Sequence, residues 1–483
     1  MNKGYIIDNN CKYKNGELIN KNDKVYSCTL NQTDIETNKN KFYIMQLIKE
    51  TSQYILYIRY GRVGENGKIE YKIFPTENEA ISTFEKQFRS KTSNNWNHKD
   101  FIKKDGKYFL SNISYEDELK NIPVEPKKMI ESKLPERVQT FIRMVTDMNM
   151  LSNTLVSLDI DTKKMPLGKI NKTQLDKAKS ILEEIKKYVN NKNNNQELLK
   201  MSSEYYTYIP YSCGRKKPPV IDNEKILEKY NEIIDELQNI IVGVQIINNT
   251  QEQTDEHPID NIYKNINTQI KPLDESDTYY KYISEYINNT HGPTHGIKLE
   301  LLDILEVSQN YKTNISDIKP KMLLFHGTPQ SCVLSIFKND FYLDPSKLDS
   351  NIQIAGKMFG YGIYFADCCT KSMNYCRAMN TNNIGCLLIC EVSVGKIYEC
   401  VNADSSLNKN KIEKFKCQST KGLGLYTPSS MITDKNIIIP SGKLSDTNKN
   451  AYLRYNEYIV YDTNQIRIKY IAIVKNIGNY NGW

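Results

Sequence analysis

The sequence lacks the features of a membrane-spanning, secreted or zinc-stabilised protein. Its longest apolar stretch, around residues 240–247, is far short of the roughly 20 residues that a bilayer crossing requires. Its first ten residues, MNKGYIIDNN, are polar, which argues against a secretory signal. None of the 11 cysteines belongs to a CxxC pair. We therefore expect reduced, mostly buried thiols in an intracellular protein, with no metal site and no membrane partner.

Two further scarcities narrow the range of functions. No GxGxxG stretch occurs, so nothing indicates a Rossmann nucleotide site. Excess positive charge is scarce beyond residue 115, because residues 1–115 hold 19 Lys+Arg against 13 Asp+Glu, a net +6 of the total +8. A basic N-terminal module suggests an acidic partner, and nucleic acid is the first class of partner to consider. On charge alone, a solvated lysine-rich surface is the simpler explanation.

The hydrophobic pattern divides the 483 residues into an arm and three domains. Residues 1–38 show no periodicity and are interpreted as a flexible N-terminal arm. Residues 39–116 contain strand-like runs such as YILYIRYGRVG, with Gly61, Gly64 and Gly67 at turns, followed by a helix whose apolar positions are helically spaced. This pattern predicts a small sheet crossed by one helix.

Residues 125–250 change to a 3.6-residue period. Three apolar stripes, beginning at Leu134, Leu175 and Ile226, each need a partner to be buried, so an all-α bundle follows. Residues 256–483 turn strand-rich, with runs such as GIYFAD and CLLICEVSVGKIYEC, and predict a mostly antiparallel β domain with a few helices. The fold class expected for the whole chain is α+β multidomain.

Single residues give only weak signals of chemistry. His326 ends a strand-like run, and a lone histidine is usually structural. Gly327 permits close approach of a ligand to the backbone, or merely a turn. Glu457 begins the strand NEYIVYD and by itself is more often solvated than catalytic.

Taken in order, the motifs of this sequence resemble the catalytic domain of the poly(ADP-ribose) polymerases, in particular their DNA-dependent branch. They are FHG at 325–327, MFGYGIYFADCCTKSMNYC at 358–376, EVSVGKIYE at 391–399, KGLGLYTP at 421–428 and YNEYIVYDTNQIRIKYI at 455–471. Upstream, SKLP at 132–135, KMPLGK at 164–169, YYTYIP at 205–210, KKPP at 216–219 and NTHGPTH at 289–295 resemble that branch's helical regulatory region and its junction with the catalytic domain. FYIMQLI, YGRVG and KTSNNWNHKDF resemble its WGR module. The likeness covers about residues 40–483.

The resemblance implies an enzyme that cleaves NAD⁺ at the nicotinamide–ribose bond and transfers ADP-ribose to proteins, itself included, or to another ADP-ribose. NAD⁺ is the substrate and no metal is expected. Loss of nicotinamide develops oxocarbenium character at the ribose, as in glycoside hydrolysis. The resemblance also implies stimulation by DNA breaks or nicks bound through residues 40–115, with the helical bundle as an autoinhibitory cover. Nuclear location is inferred from the use of DNA, although a cytoplasmic location stays open.

The resemblance also implies a role for each residue that matches a family motif. His326, Tyr364 and Glu457 form the catalytic set, in which Glu457 accepts a hydrogen bond from the nicotinamide ribose and then aligns the attacking hydroxyl. Met358 shares the acceptor side with Glu457. The NAD⁺-binding residues are His326, Gly327, Thr328, Tyr364, Ala366, Lys371, Ser372 and Tyr375. The DNA-binding residues are Tyr60, Gly61 and Arg62.

Departures from the family pattern leave alternatives open. Tyr60 replaces the tryptophan of the WGR motif, Phe325 replaces the usual tryptophan before His-Gly, and Tyr361 stands where relatives often have lysine. We see no zinc finger or BRCT module, so the chain resembles the shorter members. Mono-ADP-ribosyl transfer, a non-catalytic DNA-end-binding scaffold and an NAD⁺ hydrolase remain alternatives, and an accessory protein at the active site is possible.

Overall fold

A computed structural model describes most of the chain. The described residues are 7–21, 24–96, 101–111, 131–158, 160, 172–189, 195–249, 256–309, 312, 316–343, 357–447 and 450–478. The KMPLGK motif at 164–169 lies outside them, as do residues 97–100 of the predicted WGR motif. Contacts divide the chain into two compact units, one of residues 1–122 and 151–248 and the other of residues 123–150 and 249–483.

The first unit contains a sheet with the strand order β7-β6-β5-β4-β8. The short strand β1 pairs with β5, and β2 pairs with β3. The strands of this unit are β1 (Glu17–Leu18), β2 (Asn20–Lys21), β3 (Lys24–Val25), β4 (Ser27–Asp34), β5 (Lys39–Glu50), β6 (Gln53–Arg62), β7 (Lys68–Phe74) and β8 (Phe109–Ser111).

Helix α1 (Glu77–Thr92) packs on one face of this sheet, as its apolar spacing predicts. Thr76 caps its first turn by accepting a hydrogen bond from the Glu79 backbone N–H at 3.4 Å. Phe84 and Phe88 are buried, and each meets the Trp96 ring edge-on at 4.8 Å. Trp96 is therefore part of the core of this module.

The N-terminal arm was predicted too long, because residues 27–34 form β4 inside the sheet, paired with both β5 and β8. Polar side chains occupy one face of this strand and hid its periodicity. They are buried but hydrogen-bonded, as shown by Ser27 with Gln46 at 3.0 Å and Asn31 with Ser111 at 2.7 Å.

Gly61 also differs from expectation, since it lies within β6, whereas Gly64 and Gly67 have positive φ and form the following turn.

The other helices that the structure describes in the first unit are amphipathic and cover one another and the sheet. They are α3 (Met148–Ser157, which begins in the second unit), α4 (Lys172–Val189), α5 (Asn195–Tyr208) and α6 (Glu224–Asn249). The backbone N–H of Ile226 donates to the Asn223 side chain at 3.0 Å, which caps the first turn of α6. Helix α5 packs on β4, where Ser203 accepts a hydrogen bond from the Ile35 backbone N–H at 3.0 Å.

The second unit is built on a seven-stranded sheet with the order β17-β18-β11-β13-β22-β10-β9. Its strands are β9 (Gln269–Pro272), β10 (Leu299–Ser308), β11 (Lys321–Gly327), β13 (Ile384–Ser393), β17 (Ile432–Asp434), β18 (Ile437–Ile439) and β22 (Ile466–Asn476). All but one of the pairings in this sheet are antiparallel, the exception being β11 with β18. This confirms the predicted strand-rich domain.

The same unit contains two smaller sheets. They have the orders β12-β21-β15-β14 and β19-β16-β20. Their strands are β12 (Ile363–Phe365), β14 (Ile397–Cys400), β15 (Ser419–Gly422), β16 (Gly424–Pro428), β19 (Leu444–Asp446), β20 (Leu453–Tyr455) and β21 (Glu457–Val460). The helices of this unit are α2 (Glu136–Val145), α7 (Pro258–Asn265), α8 (Thr278–Asn289), α9 (Gln330–Asn339), α10 (Cys369–Met373) and α11 (Lys409–Lys414). No helix in the described ranges has both the length and the apolarity to cross a membrane.

Candidate active site

Pairing between strands brings the three predicted catalytic residues into one region of the second unit. Phe325 of β11 exchanges two backbone hydrogen bonds of 2.9 Å with Ala366, directly after β12. Strand β12 pairs in turn with β21, which begins at Glu457, and Tyr364 lies opposite Ile459. The ends of β11, β12 and β21 thus meet, and each contributes one side chain to the same region.

His326 is oriented by the backbone of Tyr364. Its Nδ1 lies 2.9 Å from the Tyr364 carbonyl oxygen, which can only accept, so Nδ1 carries the proton. Burial lowers the pKa of His326 to about 4, with the nearby Lys357 acting in the same direction. The imidazole is therefore neutral at pH 7 and presents Nε2 as a hydrogen-bond acceptor.

Gly327 lies against helix α10 so closely that no side chain would fit. A Cβ at this position would lie 1.8 Å from the Ser372 carbonyl oxygen, far inside contact distance. Ser372 is 3% exposed, and its hydroxyl donates to the Phe325 carbonyl oxygen at 3.3 Å. The glycine backbone and the serine hydroxyl are therefore neighbours, with Thr328 buried beside them.

Glu457 forms an ion pair with Lys371 of α10. The Lys371 Nζ lies 2.9 Å from Oε1 of Glu457, and both side chains are 12% exposed. The same ammonium donates to the Tyr455 and Asn456 carbonyl oxygens, at 2.9 and 3.3 Å. The lysine thus fixes α10, which carries Ser372, to the chain immediately before the glutamate.

Aromatic rings line the same region. The Tyr364 hydroxyl donates to the Gly360 carbonyl oxygen at 2.8 Å and accepts from the Phe359 backbone N–H at 3.1 Å. Burial raises the pKa of Tyr364 well above its ordinary value, and Glu457 and Tyr375 lie close enough to raise it further. Tyr375 is 58% exposed and Met358 is 38% exposed. The region therefore combines an amide-sized glycine backbone site, aromatic faces and one carboxylate, a set suited to a pyridine carboxamide and an electron-poor sugar.

Comparison with known proteins gives three matches in chain order. Residues 26–102 match the WGR domain, residues 132–263 the regulatory domain of poly(ADP-ribose) polymerases, and residues 277–476 their catalytic domain. Human Poly [ADP-ribose] polymerase 2 is 34% identical over 97% of this chain and 83% of its own length. This chain belongs to the poly(ADP-ribose) polymerase family.

Other relatives give the same result with different coverage. Poly [ADP-ribose] polymerase 2 of Zea mays is 32% identical over 95% of this chain and 72% of its own length. Poly [ADP-ribose] polymerase 1 of Gallus gallus is 33% identical over 95% of this chain, which spans 46% of that protein. The chain is thus an NAD⁺ ADP-ribosyltransferase with NAD⁺ as its substrate, and the expected family, fold class and enzyme class are confirmed.

In the WGR domain, the structure gives the three predicted DNA-binding residues distinct environments. Tyr60 stacks on Tyr43, with ring centroids 5.5 Å apart, and its hydroxyl donates to Glu70 at 2.7 Å. Gly61 lies against Gly67, where a Cβ would lie 2.7 Å from the Gly67 Cα.

Arg62 binds backbone carbonyl groups of two separate loops of the first unit, one before β5 and one after α5. Its guanidinium donates to the carbonyl oxygens of Asn38 at 3.0 Å and Lys216 at 2.5 Å, and also to that of Gly214. The arginine therefore joins β6 to the loop that follows α5 within the first unit.

Sequence reasoning missed a layer of polar residues behind the site. The Thr370 hydroxyl lies 2.8 Å from both the Gly292 backbone N–H and the His295 Nδ1. The motif NTHGPTH was recognised as a junction with the catalytic domain, and these contacts show that it supports α10. The only signal in the sequence was the presence of two histidines and a glycine in a short polar segment.

Proposed function

We propose that this enzyme is stimulated by DNA breaks and transfers ADP-ribose from NAD⁺ to protein acceptors, extending it into polymer and releasing nicotinamide. The observation that carries the proposal is the convergence of Gly327, Tyr364 and Glu457, from three neighbouring strands, with Ser372 of α10. We further propose a role in DNA repair and a nuclear location, because the chain combines a WGR domain with this catalytic domain.

Gly327 is assigned to the nicotinamide carboxamide, through its backbone N–H and C=O. The space that a Cβ would need is already occupied, so only glycine allows the backbone to approach a planar amide there. The Ser372 hydroxyl is assigned to the same amide, and the rings of Tyr364 and Tyr375 to the two faces of the pyridine. Tyr375 is 58% exposed, so part of its ring is accessible to a ligand, which supports this role.

Glu457 is assigned to the nicotinamide ribose and then to the incoming acceptor hydroxyl. Lys371 binds Oε1, so we assign Oε2 to the ribose hydroxyl. A carboxylate held beside developing positive charge stabilises the transition state by roughly 3–4 kcal/mol, which is on the order of 10²–10³ in rate. His326 is assigned to the adenosine ribose through Nε2, with Thr328 and Ala366 lining the same pocket and Met358 on the acceptor side.

The domain bounds proposed are an N-terminal arm that ends before β4, a WGR module that includes β4 and ends at residue 116, the helical regulatory domain at 125–250 and the catalytic domain at 256–483. DNA bound through residues 40–115 is proposed to release inhibition by the regulatory helices. Changing such a switch from about 1:99 to 99:1 needs ~5.5 kcal/mol of differential binding, which several phosphate contacts can supply.

The test is incorporation of labelled NAD⁺ into protein, with and without nicked DNA, by the wild type and the Glu457→Gln variant. We expect DNA-stimulated labelling in the wild type and a loss of at least 10²-fold in the variant. Glu413→Gln, at an exposed position of α11, is the matched control and should retain wild-type labelling.

Labelling that persists in Glu457→Gln would falsify the assigned role. The length of the attached chains, measured after release from the acceptor, distinguishes polymer from single units. Mono-ADP-ribosyl transfer remains the nearest alternative, and an intact pocket with no turnover of NAD⁺ would favour a DNA-end-binding scaffold.

A further inference from the structure

The two residues that flank Glu457 in the chain share one buried acceptor. The side chain amide of Asn456 donates to Oδ2 of Asp367 at 2.7 Å, and the Tyr458 hydroxyl reaches the same oxygen at 3.1 Å. Asp367 is completely buried, and both donors are 1% exposed. We propose that Asp367 is a positioning residue for Glu457, an inference that rests on the function proposed above for that glutamate.

The geometry places these two contacts behind the reacting carboxylate. Successive side chains of a strand point to opposite faces, so Tyr458 and Glu457 project in opposite directions from β21. The hydrogen bonds place Asn456 on the same face as Tyr458. One carboxylate thus holds the backbone on both sides of Glu457, while the glutamate side chain points toward Lys371.

Asn456 is fixed by additional contacts that leave it a single orientation. Its Oδ1 accepts from the Gly424 backbone N–H at 2.9 Å, and its Nδ2 also donates to the Thr427 hydroxyl at 2.9 Å. Asp367 is therefore the central acceptor of a network that joins the end of β12 to β16 and β21. The residue just before Asp367 is Ala366, which is bonded to Phe325 beside His326.

The buried position of the Asp367 carboxylate has a large desolvation cost. Burial raises the pKa of Asp367, and Lys421 and the two hydrogen bonds oppose that shift only in part. Its second oxygen, Oδ1, has no hydrogen-bond partner in the part of the chain that the structure describes. An apolar side chain would avoid this desolvation cost, so retaining an acid here fits a role in fixing local geometry rather than general stability.

The consequence is a fixed distance between two halves of the active site. His326 and Tyr364 lie on the β11–β12 side, and Glu457 lies on the β21 side. A misplacement of about 1 Å can lower the rate of an aligned reaction on the order of 10²-fold. Loosening Asp367 should therefore lower the turnover number and leave the nicotinamide pocket, formed by Gly327 and Ser372, intact.

The experiment compares Asp367→Asn and Tyr458→Phe with the wild type, measuring kcat and KM for NAD⁺ and the Kd of benzamide, an aryl carboxamide, as a probe of the nicotinamide pocket. Tyr458→Phe removes one hydroxyl and keeps the ring. We expect kcat to fall about tenfold in Tyr458→Phe and on the order of 10²-fold in Asp367→Asn, with the Kd of benzamide unchanged. The matched control is Tyr470→Phe, a buried tyrosine of β22, which should keep wild-type kcat.

A second arm combines each substitution with Glu457→Gln. If Asp367 acts only through Glu457, the combined variants should have the residual rate of Glu457→Gln alone. Multiplicative losses, or a kcat unchanged in both single variants, would overturn the inference. The outcome in which Glu457→Gln itself retains wild-type activity would instead overturn the proposed function. If Asp367→Asn does not fold, as judged by its thermal unfolding midpoint, Tyr458→Phe alone decides.

Discussion

Asp340, which ends helix α9, has a backbone conformation that residues with a Cβ rarely adopt. Its φ is 66° and its ψ is −178°, a region used almost only by glycine. Its carboxylate binds the Lys312 ammonium at 2.6 Å, with the lysine side chain 5% and the aspartate side chain 16% exposed. The next residue, Phe341, meets the His326 ring edge-on at 4.8 Å. The ion pair therefore holds a strained residue beside a proposed NAD⁺-binding side chain.

We predict that substitutions of Lys312 and Asp340 have coupled effects on the free energy of unfolding. Lys312→Met should lower the free energy of unfolding of the catalytic domain by about 3–5 kcal/mol, because it leaves a buried carboxylate without its cation. Asp340→Gly relieves about 1–3 kcal/mol of backbone strain but also removes the pair. The double variant should recover most of the loss seen in Lys312→Met.

Urea unfolding of the wild type, the two single variants and the double variant measures these differences, with the transition of the catalytic domain as the signal. Losses that simply add in the double variant would show that the two side chains are not coupled. A Lys312→Met variant as stable as the wild type would show that the ion pair does not hold Asp340.

At the residue scale, the candidate site residues that the sequence indicates are those that belong to contiguous motifs. His326, Gly327 and Ser372 could be recognised in this way, because each is part of a short string that the family shares. Asp367 could not, because its two donors lie 89 and 91 positions away along the chain. Its burial and its acceptor role are created only by the pairing of β12 with β21.

At the scale of elements, helices were easier to predict than polar strands. Helix α1 shows its buried face as apolar residues at helical spacing, and the structure confirms it. Strand β4 buries Ser27 and Asn31 behind hydrogen bonds to Gln46 and Ser111. The sequence alone cannot distinguish a strand whose buried face is polar from a loop, because the hydrogen-bond partners that allow the burial are not known in advance.

Helix α2 shows the same limit, since periodicity identifies a helix but not what covers it. Although residues 132–263 match the regulatory domain, α2 packs on α7 and α9 of the second unit. Arg137 donates from Nε to both oxygens of Asp303 at 3.0 Å and from Nη2 to the Leu273 and Ile304 carbonyl oxygens at 3.1 and 3.0 Å. This set of contacts attaches a regulatory helix to β10 of the catalytic domain.

We predict that Arg137→Met raises labelling in the absence of DNA. The arginine side chain is 40% and the aspartate side chain 19% exposed, and a partly exposed pair contributes up to about 1 kcal/mol. Loss of the pair should therefore increase basal turnover on the order of two- to fivefold, if α2 restrains the active state. The ratio of DNA-stimulated to basal labelling should fall by the same factor.

The charge-swapped variant Arg137→Asp with Asp303→Arg provides the control, because it restores attraction with the partners exchanged. It should bring basal labelling back toward the wild type. Unchanged basal labelling in Arg137→Met, in protein with a normal unfolding midpoint, would contradict a restraining role for this contact.

At the scale of the whole molecule, the sequence predicted the order of domains better than their packing. Contacts group residues 123–150 with the catalytic part of the chain and residues 151–248 with the WGR sheet. The hydrophobic stripes from Leu134 onward predicted one bundle, because each stripe requires a covering surface but does not specify which. The proposed bounds of the regulatory domain at 125–250 thus span both compact units.

The uneven distribution of charge leads to a prediction about salt. Residues 1–115 carry +6 of the net +8, and within the WGR sheet Lys41 pairs in register with Arg62 and Lys68 with Tyr60. If four phosphates are neutralised, DNA binding should weaken about 150-fold between 50 and 200 mM salt, because log K falls by ~0.9 per contact for each tenfold rise in salt. The concentration of nicked DNA that gives half-maximal stimulation should rise accordingly, while basal labelling stays nearly constant.

The double variant Lys41→Gln with Lys68→Gln should lower the salt slope by up to about two contacts. Lys414→Gln with Lys416→Gln removes two exposed lysines of the catalytic domain and should leave the slope unchanged. A half-maximal DNA concentration that does not vary with salt would mean that the basic N-terminal module does not bind phosphates, and the charge would then belong to a solvated surface. Of these four lysines, only Lys41 and Lys68 flank Tyr60 and Arg62 in the sheet. Equal salt slopes for the two double variants would therefore show that the DNA contacts do not lie beside Tyr60 and Arg62.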